Sequence, residues 1–303
     1  MTKFKSNGKL LLTGEYLVLD GAKALALPTS FGQQLLIKNN NSNYIIWESF
    51  DEHNDIWFNN KFLIKNILSN DYTSSNEISQ RLIEILRSVN SLNPNFFKLN
   101  NGFDINTTQD FNRSWGLGTS STLINNIANW TNVDAYKLLE LTFGGSGYDI
   151  ACAQNDNAIT YQLRDKNPLV TEVDFDPSFK ENIYFVYLNQ KQNSREGIVA
   201  YRNFKGDLKA SILEVNSITE KMISCENLND FNALIIEHES IISKIIHLKP
   251  VKEALFKDFE GAIKSLGAWG GDFIMVTSKN NPKNYFEAKG YPTVIPYHKM
   301  IKA

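Results

Sequence analysis

A strand, a glycine turn and a helix in immediate succession constrain this chain more than any other feature. Phe103-Asp104-Ile105-Asn106-Thr107 alternates apolar and polar residues, as a half-buried strand does. Asn112 to Trp130 then reads NRSWGLGTSSTLINNIANW. Gly116 and Gly118 stand two apart, and the hydroxyls of Thr119, Ser120 and Ser121 follow at once. Leu123, Ile124, Ile127, Ala128 and Trp130 recur at helical spacing. A glycine turn that feeds a helix start is suited to phosphate. Backbone N–H groups there lack partners, the helix dipole favours negative charge, and glycine admits a close approach of the backbone. Ser and Thr can cap the helix or offer a hydroxyl to Mg²⁺. The same residues also describe an ordinary loop with a good helix cap, so the rest of the chain has to decide.

The chain carries 31 Lys+Arg against 33 Asp+Glu, a net charge of −2. No basic excess points to nucleic acid or to an anionic membrane surface. A local cationic pocket for a small anionic substrate does not show in such a total. With 42% hydrophobic and 21% charged residues, the chain can bury a full core. Its 303 residues suggest two domains. The two cysteines, Cys152 and Cys225, and the four histidines lack zinc spacing. A reduced, cytoplasmic protein is expected. No apolar run reaches the length of about 18 residues that a membrane span needs. Expected partners are a small-molecule substrate and, at most, a second copy of the chain in a homodimer.

The first 60 or so residues look β-rich. Lys9 to Leu12 reads as a strand, a turn follows at Thr13-Gly14-Glu15, and Ala22–Pro28, Gln33–Lys38 and Tyr44–Glu48 read as further strands. Asn76–Val89 is an amphipathic helix with Asn76 as its cap, and Asp134–Thr142 is a shorter one. Phe143 to Ala153 holds three glycines within four positions, then Asp149, then small apolar residues. Asp149 either faces a pocket as a base or caps a helix from Ile150. Ala158–Leu163 and Glu172–Phe175 read as strands, with a polar, proline-containing stretch at Arg164–Pro168 as the domain boundary. Beyond it come a strand at Ile183–Leu188, a polar loop from Asn189 to Arg195, and helices near 208–222, 228–246 and 251–265. His238 and His247 read as ordinary residues of the second of these helices. Phe273–Thr277 and Tyr291–Pro296 close the chain as strands, so the second half is an α+β layer.

The order and spacing of three glycine motifs resemble the GHMP kinases, the group of galactokinase, homoserine kinase, mevalonate kinase and phosphomevalonate kinase. The motifs are Gly8-Lys9 with Gly14-Glu15-Tyr16, Gly116-Leu117-Gly118-Thr119-Ser120-Ser121, and Gly267-Ala268-Trp269-Gly270-Gly271. The resemblance runs from Asn7 to about Val276 and is strongest to the mevalonate and phosphomevalonate kinase branch. It implies an α+β fold of two domains, a ribosomal-protein-S5-like ATP-binding domain over 1–165 and a ferredoxin-like domain over 166–303. ATP is then held between them, with its triphosphate on Gly116 to Ser121.

Residue by residue, the resemblance assigns Ser120 as the hydroxyl on the Mg²⁺ side and Lys9 as the lysine near the transferring phosphate. It makes Asp149, within Ser146-Gly147-Tyr148-Asp149, the base that takes the substrate proton. Glu15, Tyr16, Ser146, Gly147, Gly267 and Ala268 fall beside the substrate. Lys191, Ser194 and Arg195, in the polar loop after the Ile183 strand, either reach its carboxylate or phosphate or are simply solvated. Glu140 lies near, but out of register with, the family's metal-binding Glu. Asn112 replaces the usual Pro, and Trp269 replaces a glycine beside the substrate. The implied activity is an ATP- and Mg²⁺-dependent kinase acting on mevalonate or 5-phosphomevalonate. The alternatives are a kinase for a sugar or a homoserine-like alcohol, or an ATP-binding regulator with weak catalysis.

Overall fold

The computed structural model describes residues 1–99, 101–190 and 194–302, and its contacts divide the chain into two compact units. Unit 1 comprises Met1–Gly8, Phe31–Arg113 and Gly118–Gln154, and unit 2 comprises Lys9–Ser30, Ser114–Leu117 and Asn155–Ala303. Two long strands, β1 (Thr2–Leu11) and β2 (Ala24–Asn39), contribute to both. The sequence reads β2 as two strands either side of Pro28, yet the chain stays extended through it. Pro28 lies between the stretch of β2 that pairs with one strand, Ala24–Ala26, and the stretch that pairs with another, Gln33–Asn39, while β1 also pairs with β2; the Pro28 carbonyl accepts from Lys302 N at 3.1 Å.

In unit 1, β3 (Tyr44–Phe50), β4 (Ile56–Leu63) and β5 (Phe103–Gln109) join the second half of β2 in the order β4-β3-β5-β2. β3 and β5 run parallel and the other pairs antiparallel. Between them the chain forms α1 (Ile64–Leu68), α2 (Glu77–Leu92) and α3 (Phe96–Leu99). α2 starts where its cap predicts: the Asn76 side chain accepts from Ser79 N at 2.9 Å. Its Leu82, Ile83, Leu86 and Val89 are buried with Trp47 and Ile105 from the sheet. α4 (Thr119–Thr131), α5 (Ala135–Thr142) and α6 (Tyr148–Gln154) complete the same core through Ile124, Leu138 and Ile150. Asp134 caps α5, accepting from the N–H groups of Tyr136 and Lys137.

In unit 2, β6 (Ile159–Arg164) and β7 (Asn167–Glu172) form a hairpin beside the first half of β2. The Arg164–Pro168 stretch, read above as the boundary between 1–165 and 166–303, is the turn of this hairpin. The strand expected at Glu172–Phe175 therefore lies earlier. Pro168 fits there because β7 is the last strand in the order β2-β6-β7. β8 (Ile183–Tyr187) leads to four helices: α7 (Ser194–Arg202), α8 (Leu208–Ile223), α9 (Leu228–Ile246) and α10 (Val251–Leu255). β9 (Ile263–Ser265), β10 (Phe273–Thr277), α11 (Lys283–Ala288), β11 (Val294–Pro296) and α12 (Tyr297–Met300) follow. The four-stranded antiparallel sheet has the order β11-β8-β10-β9.

The helix expected over 251–265 ends at Leu255. Further on, a Cβ on Gly261 would lie 1.6 Å from the Thr277 carbonyl oxygen, so the chain crosses Thr277 closely before it enters β9. The polar loop after β8 is also shorter than expected, since Ser194 already opens α7.

Candidate functional site

In unit 2, the first half of the glycine loop is held from three directions. The β1 backbone reaches it through Lys9 N, which donates to Leu117 O at 3.0 Å. The Lys9 ammonium donates to Gly116 O at 3.0 Å. Tyr187 of β8 donates its hydroxyl to Ser114 O at 3.2 Å, and Trp115 packs edge-on against Phe273 with ring centroids 5.5 Å apart. Gly116 adopts φ 68, a conformation glycine enters without strain. Its missing side chain also matters for space, because a Cβ there would lie 2.6 Å from the Asp272 carboxylate.

The chain passes into unit 1 at Gly118, which has φ 95 and precedes α4 with no side-chain cap. The first N–H groups of a helix have no acceptor within it. The hydroxyls that follow are sorted by the helix itself. Ser121 is buried and donates to Gly118 O at 2.9 Å, and Thr122 donates to Gly118 O at 3.0 Å. Thr119 accepts from the Gln109 side chain at 3.0 Å. Ser120 is exposed. Of the three hydroxyls named from the sequence, Ser120 is the one turned to solvent at an open, uncapped helix start. The position of the family's proline is taken by Asn112, whose side chain donates to Glu52 at 2.9 Å.

Asp149 lies in the first turn of α6, one residue inside its start at Tyr148, so it is not the cap of a helix from Ile150. It is half-buried, as is Ser146, while Gly147 is buried. α6 is tied to α4 by Gln154, which donates to the Asn125 side chain at 2.9 Å. The Tyr136 hydroxyl is pushed up to about 12 by burial first, and then by the neighbouring charges of Cys152, Asp134 and Asp149. Glu140 sits exposed in the last turns of α5.

Glu15 and Tyr16 are inside unit 2. Tyr16, at φ 61, donates its hydroxyl to Ala268 O at 3.0 Å and stacks on Tyr201. Its hydroxyl lies where only glycine fits on α7, since a Cβ on Gly197 would be 2.0 Å away. Gly267 has φ 61 and Trp269 φ 55, so the turn of the third glycine motif is left-handed at both. Trp269 is 1% exposed and packs with Tyr16, Leu17 and Ile242, filling the space beside this turn. Lys191 lies outside the described residues, and Ser194 is placed at the first position of α7.

Beneath these turns is a polar cluster that the sequence analysis did not anticipate. The Lys264 ammonium is fully buried on β9 and donates to Glu15. It lies 3.2 Å from Glu239 and donates to Ser265 O at 2.6 Å. Ser265 donates to Glu239 at 2.8 Å, and His238 Nε2 accepts from Gly14 N at 3.1 Å while lying 3.3 Å from Glu15. Burial raises Glu15 to about 7 against the pull of Lys264. Burial likewise raises Glu239, and it holds His238 well below its ordinary range with Lys264 adding to the effect. His238 is therefore neutral, accepts at Nε2 and carries its proton on Nδ1. The readable signal was on α9, where His238 and Glu239 continue the buried stripe of Phe231, Ile235 and Ile242.

Taken together, the two units carry the two-domain α+β fold of the GHMP kinases. Solved structures match this chain over nearly its full length. It is similar to the mevalonate kinase of Methanococcus jannaschii, with a TM-score of 0.70, 16% identity, and 95% of this chain and 94% of the other covered. It is similar to the Streptococcus pneumoniae phosphomevalonate kinase in complex with phosphomevalonate and AMPPNP, with a TM-score of 0.68, 18% identity, and 98% and 100% covered. It is also similar to the galactokinase of Lactococcus lactis complexed with galactose, with a TM-score of 0.66, 14% identity, and 99% and 93% covered. No protein-family model matches the sequence. No curated protein matches it either.

Proposed function

We propose that this chain is an ATP- and Mg²⁺-dependent kinase of the GHMP type that phosphorylates mevalonate or 5-phosphomevalonate in isoprenoid precursor synthesis. The observation that carries this reading is the open start of α4, where a left-handed glycine replaces a side-chain cap and Ser120 is exposed. That arrangement suits a phosphate group, which accepts from the unpartnered N–H groups and is favoured by the helix dipole. The protein is read as a cytoplasmic enzyme whose partners are small molecules.

ATP would supply the transferable phosphoryl group, and Mg²⁺ bound with it would offset the charge of its phosphates. The described residues contain no cluster of three or more His, Cys, Asp or Glu side chains fit to hold a metal alone. Mg²⁺ fits in a different way, because it retains waters and takes one or two protein oxygens beside substrate phosphates. Ser120 offers one such oxygen. In unit 2, Lys9 holds its charge at Gly116 O, which places a cation at the loop for developing negative charge. In unit 1, Asp149 takes the proton of the acceptor hydroxyl. Phosphoryl transfer depends more on position and charge than on that base.

A coupled ADP-release assay across mevalonate, 5-phosphomevalonate, homoserine and sugars tests the substrate. Turnover with neither mevalonate compound overturns the assignment. Asp149→Asn is expected to lower turnover by about 10² or more while ATP affinity stays close to wild type. A second reading, a sugar kinase, is favoured by the likeness to galactokinase and is decided in the same assay. Measurable ATP affinity with no transfer to any acceptor identifies a regulator instead.

A further inference from the structure

Two carboxamides of unit 1 meet the first turn of α4, and they treat its hydroxyls in opposite ways. Gln33 of β2 and Gln109 of β5 are register partners, and both are buried. The Gln33 side chain accepts from Thr122 Oγ1 at 3.0 Å. The Gln109 side chain instead donates, from Nε2 to Thr119 Oγ1 at 3.0 Å. Ser121 and Thr122 both turn their hydroxyl hydrogens to Gly118 O. Thr119 differs from them. Its hydroxyl oxygen accepts, and its hydrogen has no acceptor among the described residues.

Gln109 is 1% exposed at the last position of β5, and its Oε1 has no hydrogen-bond partner among the described residues. Its carboxamide is thus buried and directed at the first residue of α4. Turned over, the same amide would offer Oε1 to the Thr119 hydroxyl and take up its hydrogen. The amide nitrogen, a double donor, would then be buried without an acceptor. A ligand that accepts hydrogen bonds at the start of α4 favours the observed orientation. That is the ligand the helix start itself suits, since Gly118 offers no side-chain cap and the first N–H groups have no acceptor within the helix.

We propose that Gln109 is a positioning residue for ATP: it holds the Thr119 hydroxyl as an acceptor, so that the hydroxyl hydrogen is aimed at the phosphate seated on α4. The inference rests on the kinase reading. Gln109 N–H, Thr119 O–H and a phosphate oxygen then form one continuous chain, in which each bond polarises the next. A carboxylate at 109 would reverse the chain, accepting from Thr119 and taking its hydrogen away from the phosphate.

Calorimetric titration of the full chain with ATP in MgCl₂ tests this on Thr119→Val, Gln109→Met and the double variant. ATP binding is expected to weaken about tenfold in Thr119→Val and about fivefold in Gln109→Met, as a bond to a charged acceptor is lost or misaligned. The double variant should match Thr119→Val within about twofold, because Gln109 acts only through that hydroxyl. Losses that multiply, or no loss in Gln109→Met, overturn the inference. Gln109→Glu adds a readout that packing alone does not move. Burial favours the protonated carboxyl, which donates to Thr119 as the amide does, and ionisation at higher pH reverses the bond. The ATP affinity of this variant relative to wild type should fall at least about fivefold between about pH 6 and pH 8. A constant ratio overturns the inference. If Gln109→Met does not fold, this ratio decides. If neither substitution at 109 folds, Thr119→Val decides: unchanged affinity overturns the inference, and a loss of about tenfold supports it. Wild type that binds no ATP overturns the kinase reading, and this inference with it. Wild type that binds ATP, with multiplying losses in the variants, overturns this inference alone.

Discussion

Replacing Lys264 with methionine tests the buried cluster of unit 2 most directly. The substitution keeps the length of the side chain and removes its charge. Glu15 loses its ammonium partner and Glu239 loses a cation at 3.2 Å, while both carboxylates remain buried. Breaking a buried ion pair from one side costs about 3–5 kcal/mol. That is a large part of the roughly 5–15 kcal/mol by which domains are stable. The pH dependence is more specific than the loss itself. In wild type, Glu15 is raised to about 7, so the folded state holds a proton that the unfolded state has released. Stability on this account falls as pH rises through 7 and is nearly constant beyond it. His238 acts oppositely, since it stays neutral when folded and charges when unfolded, so it costs stability as pH drops through about 6.5. From pH 7 to 8.5 the wild-type change from these groups is well under about 1 kcal/mol. Without Lys264, both carboxylates must stay protonated to remain buried. Each then loses about 1.4 kcal/mol per pH unit, so the variant should lose up to about 4 kcal/mol over the same interval. Urea unfolding followed by tryptophan fluorescence at pH 7 and 8.5 measures this. Adding Glu15→Gln to the variant should recover part of the loss. Parallel pH dependence in wild type and Lys264→Met would refute the assignment of these carboxylates to Lys264.

Two packing predictions accompany it. Gly197→Ala places a methyl 2.0 Å from the Tyr16 hydroxyl and should cost about 1–3 kcal/mol by overpacking, read as a lower unfolding midpoint in urea. A Gly197→Ala, Tyr16→Phe double variant should recover part of that cost, because the nearest atom in conflict is gone while the ring carbons at 2.5 and 2.8 Å remain; full additivity would show that the clash is elsewhere. Trp269→Ala empties the space beside the third glycine motif and should cost about 3–5 kcal/mol in the same measurement. A loss below about 1 kcal/mol would mean that the ring is not the packing element described.

Much of the architecture was legible because local signals coincide with it. α2 has an Asn76 cap and a helical apolar stripe, and α9 runs over the residues its periodicity marks. The loop at Gly116 and Gly118 was legible for the same reason: both glycines take left-handed values that their motif demands. The sorting of its hydroxyls was not, because the Ser121 and Ser120 side chains differ only in which face of α4 they occupy. Readings failed where distant chain segments decide the conformation. Pro28 sits inside a strand whose partners change along its length, and Gly261 lies where the chain crosses Thr277 too closely for a side chain before it enters β9. The cluster around Lys264 lay furthest out of reach. Glu15 reads as a turn charge, and its partner is 249 residues away in sequence.

That separation has a consequence during synthesis. Lys9–Ser30 belongs to unit 2, whose remaining strands and helices lie almost entirely beyond Asn155. At about 5–20 residues per second, the ribosome delivers Lys264 roughly 12–50 s after Glu15. Through that interval the first turn of the nascent chain carries a carboxylate that cannot be buried without its cation. An early collapse of the amino-terminal segment into apolar surroundings is thereby disfavoured, and the segment stays hydrated until the chain that completes it has left the tunnel. A charge that the finished protein buries thus also bears on the order in which the chain can fold while it is being made.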